Sequence, residues 1–134
     1  MDDQTQERVR NWLKRARENL RAAEYEFGGE FYARVISTAY YAMFYAATAA
    51  LASIGIARAK HSGVASAFGE NLIRTGELDR RLGRMFSHTM EEREGSDYSE
   101  IPEITGELAL QSITDAREFV EAIAIYLSGK GIAE

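Results

Sequence analysis

The sequence has 134 residues and contains no cysteine, one proline and only two histidines. Without cysteine the chain has no disulfide framework, no thiol nucleophile and no sulfur-based zinc site, and it suits a reducing cytosol. We therefore expect a cytoplasmic protein. Because Pro102 is the one proline, little interrupts the first hundred residues, which favours long helices over a β-rich fold.

Several motifs that carry chemistry are also missing. The sequence has no G-x-x-x-x-G-K-[ST] and no strand-linked G-x-G-x-x-G, which excludes the usual nucleotide-hydrolysing domains. It has no H-E-x-x-H and no paired E-x-x-H arrangement of the kind that builds helical metal sites. We accordingly expect neither a metal nor a cofactor.

No secretory signal is recognised at the N-terminus, and one segment is free of charge for 23 residues, Val35 to Ala57. Its length would allow it to cross a membrane. Only seven of its residues are Val, Ile, Leu, Met or Phe, and three tyrosines lie mid-segment, where their hydroxyls would need partners in hydrocarbon. The segment therefore predicts a buried central helix, and no membrane association is expected.

Charge is distributed unevenly along the chain. The net charge of −5 disfavours non-specific nucleic-acid binding, so no DNA specificity is expected. Residues 1–21 nevertheless carry six bases against four acids, and residues 94–134 carry nine acids against two bases. Arg10, Lys14, Arg17 and Arg21 fall on one line of a helix. This line could follow a phosphate backbone, dock an acidic partner or be plain surface.

Hydrophobic periodicity predicts five helices with short connections. They cover about Thr5–Phe27, Glu30–Ser53, His61–Thr75, Glu77–Gly95 and Ile104–Leu127. With 46% hydrophobic and 28% charged residues, the composition suits one globular domain spanning 1–134. The prediction is an all-α protein, an up-and-down antiparallel bundle of four to five helices around the second one. Ser96–Pro102 is expected to be an exposed connection.

Both histidines have two readings. His61 stands at a predicted helix start, where it could cap the helix or anchor the loop. His88 shares a helix face with Arg81 and Arg84. That face could place an imidazole base beside guanidiniums that hold a phosphodiester, or it could be a solvated surface of ion pairs.

A third group lies where the fourth helix is predicted to end. Arg93, Asp97 and Tyr98 bring together a guanidinium, a carboxylate and a phenol. Arg93 could bind a phosphate while Asp97 orients it or accepts a proton, and we expect the three side chains to lie close together at an exposed helix end. Arg93 and Asp97, four residues apart, could equally form only a local ion pair.

Three stretches together resemble the HEPN domain in its small stand-alone prokaryotic form. They are STAYYAMFYAATAAL (37–51), AKHSGVASAFGENLIRTGELDRRLGRM (59–85) and REGSDY (93–98). The resemblance implies a helical bundle, commonly a dimer, encoded beside a minimal nucleotidyltransferase as a toxin and antitoxin pair. It also implies association with RNA or a nucleotide, since many HEPN domains are metal-independent ribonucleases.

The HEPN signature is an Arg followed after four to six residues by a His, and some members add a Tyr that the partner modifies with AMP. Arg93 and Tyr98 match its Arg and Tyr, but no His follows Arg93, and Asp97 stands near that place. The resemblance thus implies Arg93 and Asp97 as catalytic candidates, or His88 with Arg81, which have six residues between them. Tyr98 would be the residue for modification or partner binding.

Lys60, His61 and Arg93 are the candidates for binding a nucleotide or phosphate. Three functions stay open at this point. The first is a homodimeric regulatory partner of a nucleotidyltransferase, with the fourth helix and aromatic residues of the second helix at the dimer interface. The second is an active metal-independent endoribonuclease toxin. The third is a non-catalytic scaffold whose acidic last helix docks a basic partner.

Overall fold

A computed structural model of the chain describes residues 1–98 and 103–134, without the side chains of residues 96–98. Its described part consists of α-helices and one π-helical turn, which confirms the predicted all-α bundle. The elements are α1 (Asp3–Gly28), α2 (Tyr32–Ala52), α3 (His61–Phe68), the π-helical turn (Gly69–Ile73), α4 (Arg80–Tyr98) and α5 (Gly106–Gly129).

Helix α2 lies at the centre and packs against α1, α5, α4 and α3. By length and composition it could cross a membrane, but 72% of its most apolar window is buried inside the protein, as in the core helix of a soluble bundle. The periodic apolar residues of α1 pack against it as predicted. These buried residues are Val9, Leu13, Ala16, Leu20 and Ala23.

Three phenylalanines complete the core on the other side of α2. Phe68 of α3, Phe86 of α4 and Phe119 of α5 lie with ring centroids 5.5 to 5.6 Å apart. All three are almost fully buried. They join α3, α4 and α5 to the core that also contains residues of α1 and α2, and α4 packs against α2.

Helix α4 differs from its predicted bounds at both ends. It begins at Arg80 and not at Glu77, because the carboxylate of Asp79 accepts a hydrogen bond from the backbone N–H of Arg81 at 2.8 Å. It also continues through Gly95 to Tyr98, so the predicted connection starts too early. A single glycine costs a helix only about 1 kcal/mol relative to alanine, which does not by itself end one.

The cationic line predicted on α1 is partly neutralised by α5. Arg17 donates hydrogen bonds to Glu134 at 2.8 Å and to Glu121 at 3.1 Å. Arg17 in turn holds the pKa of the Glu134 carboxyl below its ordinary value. Arg17 therefore connects α1 to Glu121 of α5 and to Glu134. This supports the interpretation of this part of the cationic line as plain surface.

Candidate functional site: Arg93, His61 and two tyrosines

Arg93 lies on α4 with its guanidinium over two consecutive tyrosines of α2. Its Cζ is 5.0 Å from the ring centroid of Tyr40 and 5.2 Å from that of Tyr41. Nη2 also points a donor toward the Tyr41 hydroxyl at 3.4 Å. Contact with aromatic faces holds a guanidinium in place while it keeps its charge. Arg93 is therefore a half-buried, positioned cation.

His61 is the first residue of α3, and its imidazole packs against α2. Its Nδ1 is 3.0 Å from the hydroxyl of Tyr40, and its ring centroid is 4.4 Å from that of Phe44. The helix cap at Lys60 makes no side-chain hydrogen bond, so the prediction that His61 or its neighbour caps α3 is wrong. The alternative role, anchoring the connection, is the one that the Tyr40 contact supports.

The surroundings of His61 determine its charge. Burial is the larger cause and the Arg93 guanidinium the second, and both lower the pKa of His61 from its ordinary value of 6.5. Burial raises the pKa of Tyr40 to about 12, although Arg93 opposes that shift. At neutral pH the pair consequently consists of a neutral imidazole and a protonated phenol.

A neutral imidazole bonded through Nδ1 can do two things with Nε2. If Tyr40 donates to Nδ1, then Nε2 carries the proton and can donate to a phosphate oxygen. If Nδ1 carries the proton and donates to Tyr40, then Nε2 has a free lone pair and can act as a base. Arg93 next to it supplies the planar donor fork that suits a phosphate. Arg93, His61, Tyr40 and Tyr41 therefore make up the candidate functional site.

The other residues predicted for this site have different positions. Lys60 is exposed and directly precedes α3. Asp97 and Tyr98 belong to the last turn of α4, but their side chains lie outside the described residues. The expectation that they gather with Arg93 at an exposed helix end stays a prediction. Arg93 itself is half-buried against α2 rather than exposed.

Arg81 and His88 have separate carboxylate partners. Arg81 pairs with Glu118 of α5. His88 places Nε2 2.6 Å from a carboxylate oxygen of Glu92, whose other oxygen accepts a hydrogen bond from Ser112 at 3.2 Å. The Arg81–Glu118 pair and the Ser112–Glu92 hydrogen bond connect α4 to α5. His88 also lines a groove of about 530 Å³, together with Arg84, between α4 and the π-helical turn.

A metal site is not indicated in the described part of the chain, where no three His, Asp or Glu side chains gather as ligands would.

Comparison with known proteins agrees with this architecture. Residues 9–126 match the HEPN domain. The chain belongs to the HEPN domain family. A "UPF0332 protein" of Thermotoga maritima is 34% identical over 115 residues, which are 86% of this chain and 87% of that protein. A protein of Methanocaldococcus jannaschii named "Putative toxin" is 33% identical over 120 residues, 90% of this chain and 82% of its own length.

Sequence reasoning about this HEPN protein did not find the role of the tyrosines. The sequence predicts a buried helix that contains both tyrosines, with aromatic residues of this helix also at a dimer interface, and Tyr40 is fully buried. The available signal was a pair of adjacent tyrosines in an otherwise alanine-rich helix, since buried phenols need partners for their hydroxyls. His61 and Arg93 are 32 positions apart in the sequence, and spacing alone does not connect them.

Proposed function

We propose that this HEPN protein binds RNA by holding a phosphodiester between Arg93 and His61, and that it works as the toxin-like or regulatory partner of a minimal nucleotidyltransferase. The observation that carries the proposal is the guanidinium of Arg93 lying over Tyr40 and Tyr41, near the imidazole that contacts Tyr40. A relative in Methanocaldococcus jannaschii carries the name "Putative toxin", which supports the toxin-like role.

Binding of a minimal RNA tests the proposal. The probe is the dinucleotide UpU with a 2′-O-methyl group beside the phosphate, which cannot be cleaved, and the readout is its dissociation constant by calorimetry or NMR titration. We expect Arg93→Gln to weaken binding about tenfold or more, because hydrogen bonds to charged groups contribute roughly 1.5–3 kcal/mol. His61→Asn should also weaken it.

Arg84→Gln is the matched control, because Arg84 is an exposed arginine on the same helix α4 that lines a different groove. It should leave the affinity unchanged. Equal losses in the two arginine variants would show general electrostatic attraction, and an unchanged affinity in Arg93→Gln would remove Arg93 from the site. Melting temperatures of all variants check that the fold is intact.

The transferase partnership has its own test, directed at Tyr98. Incubation with ATP, Mg²⁺ and a minimal nucleotidyltransferase encoded beside the gene should add AMP to the protein, seen as a mass increase of the intact chain. Tyr98→Phe should abolish the adduct, whereas Tyr25→Phe should not, although Tyr25 is 84% exposed. An adduct that persists in Tyr98→Phe would place the modification elsewhere.

The neutral imidazole of His61 favours a second candidate, metal-independent RNA cleavage. In this reaction the RNA 2′-oxygen bonds to phosphorus, and its proton passes to Nε2 of His61. The bond from phosphorus to the 5′-oxygen then breaks, and that oxygen takes up a proton from water or from the imidazolium. Arg93 would stabilise the charge on the phosphoryl oxygens.

Cleavage is assayed with unmodified RNA in EDTA, with detection of a 2′,3′-cyclic phosphate. If the wild type cleaves, His61→Asn should slow cleavage about a hundredfold or more, in the range of general acid–base catalysis. His88→Asn should have no effect. The reverse result would favour the Arg81 and His88 pair, and a wild type that binds without cleaving would leave the protein as a binding module.

A further inference from the structure

A stripe of aromatic and basic side chains continues from the phosphate site along the seam between α1 and α2. Tyr41, Tyr45, Thr48 and Ala52 share one face of α2, at steps of three and four residues. The residues Thr5, Arg8, Trp12 and Arg15 share one face of α1 in the same way.

The rings follow one another at short distances. The centroid of Tyr41 is 6.0 Å from that of Tyr45, which is 5.7 Å from that of Trp12. Arg15 places its Cζ 5.1 Å from the ring centroid of Trp12. Arg93 lies over Tyr41 at the other end. The three rings are only half-buried, and a cation stands at each end of the row.

Beyond Trp12 the seam opens into a small groove. Trp12, Arg8 and Arg58 line it, along with Thr48 of α2 and residues of the α2 to α3 connection. Its volume is about 260 Å³, below the range of clefts that hold drug-sized ligands and suited to a single base. We name the whole surface, Arg93, Tyr41, Tyr45, Trp12, Arg15, Arg8 and Arg58, the aromatic–arginine track.

We propose that a single strand of RNA bound at Arg93 continues along the aromatic–arginine track, with its bases stacked on the rings and its phosphates beside the arginines. The proposal rests on the proposed function. A positively charged groove that also carries aromatic side chains is how proteins bind single strands without reading their sequence. The positive charge is a local property of this surface, because the chain as a whole has a net charge of −5.

Charge also argues against a second copy of the chain as the occupant. A twofold interface brings the same surface of both subunits together. If the track lay at the twofold axis, Arg8, Arg15 and Arg58 of one copy would face the same cluster of the other, with Glu7 as the acidic residue in the adjoining groove. Like charges placed against each other oppose association, whereas a phosphate backbone complements them.

The test is the dependence of affinity on RNA length. The probes are 2′-O-methyl oligouridylates of two, six and ten nucleotides, measured by fluorescence anisotropy at fixed salt. The wild type should bind the ten-nucleotide strand more tightly than the dinucleotide, and Trp12→Leu should reduce that gain about fivefold or more, the value of one base stack. Its affinity for the dinucleotide should stay that of the wild type.

Tyr25→Leu is the matched control, since Tyr25 is an exposed aromatic residue of α1 away from the track. The double variant Arg8→Gln with Arg58→Gln changes only exposed side chains and serves if Trp12→Leu does not fold. The double variant should reduce the gain in affinity from the dinucleotide to the ten-nucleotide strand. It should also make the affinity less dependent on salt concentration.

The outcomes separate this proposal from the one on which it rests. Two results would overturn the track and leave the proposed function intact, provided that dinucleotide binding depends on Arg93. One is that longer strands bind no more tightly than the dinucleotide. The other is that Trp12→Leu and the double arginine variant both keep the tighter binding of longer strands. The proposed function would be overturned if the wild type did not bind the dinucleotide, or if Arg93→Gln bound it as tightly as the wild type. A change of sedimentation from dimer to monomer in the track variants would show that a second copy covers the track, and would also overturn it.

Discussion

The two histidines of the chain lie in contrasting surroundings. His61 packs among the rings of α2, bonds to a buried tyrosine and lies near Arg93. His88 is exposed on α4 and pairs with Glu92, which in turn holds Ser112 of α5. At neutral pH the first imidazole is neutral and contacts Tyr40 through Nδ1, whereas the Nε2 of the second is engaged by a carboxylate. The difference teaches that position in the packing, not spacing in the sequence, gives a histidine its chemistry.

Removing the Tyr40 ring should have the largest effect on this contrast. Tyr40→Ala should lower the free energy of unfolding by roughly 3–5 kcal/mol, because a large buried aromatic ring leaves a cavity. His61 and Arg93 would lose their shared support at the same time. His88→Ala removes an exposed imidazole whose contact is with Glu92, and it should cost less than about 1 kcal/mol. Urea denaturation measures both, and similar losses would contradict the contrast.

Removing only the Tyr40 hydroxyl is a milder change to the same region. Tyr40→Phe keeps the ring but removes the hydroxyl that bonds Nδ1 of His61. It should destabilise the fold by about 1 kcal/mol, the usual net value of one hydrogen bond. UpU binding should weaken as well, since the imidazole loses its fixed orientation. An affinity unchanged from the wild type would show that Tyr40 does not position His61.

The pH dependence sharpens the contrast at His61. Its pKa is lowered in the folded protein, so the unfolded chain binds the proton more tightly. The free energy of unfolding should therefore be highest above pH 6.5 and fall as the pH drops toward the folded pKa of His61.

The chain has two histidines, so His88→Asn leaves one set of imidazole signals for NMR. The midpoint of His61 should lie below 6.5, and Arg93→Gln should raise it while burial keeps it lowered. A midpoint above 6.5 in the His88→Asn protein would contradict the neutral imidazole.

The smallest effect is expected at the His88 end. Glu92→Gln removes the charge that faces His88 and leaves an amide that can still accept from Ser112. We expect a change in the free energy of unfolding of a few tenths of a kcal/mol up to about 1 kcal/mol, as for other exposed ion pairs. UpU affinity should not change. Lost affinity in Glu92→Gln would give this end of α4 a role in binding.

Much of the fold was predictable from residue patterns. The apolar stripe of α1 is buried, and the uncharged segment from Val35 forms the central helix. Helix ends were harder, because Gly95 and Ser96 are weak stop signals and α4 continues past them. The start of α4 depends on a hydrogen bond from the Asp79 carboxylate, which a pattern of apolar residues does not show.

The candidate site was predictable only in part. Arg93, His61 and Lys60 were named as phosphate-binding candidates, but through separate arguments. The sequence offered His88 as the partner for an arginine because the two fall on one helix face. The structure supplies a histidine from another helix, and it places Trp12 and Tyr45 beside Arg15. Contacts between helices are not encoded in local spacing.

The sequence by itself determined the helical class, the single central helix and the HEPN resemblance, because periodicity, glycine positions and short motifs are local properties of the chain. Only the tertiary structure decided that His61 and Arg93 meet over Tyr40 and Tyr41. The physical reason is that their meeting depends on how α3 and α4 pack against α2. That packing is set by the combined burial of side chains from all five helices, among them Phe68, Phe86 and Phe119.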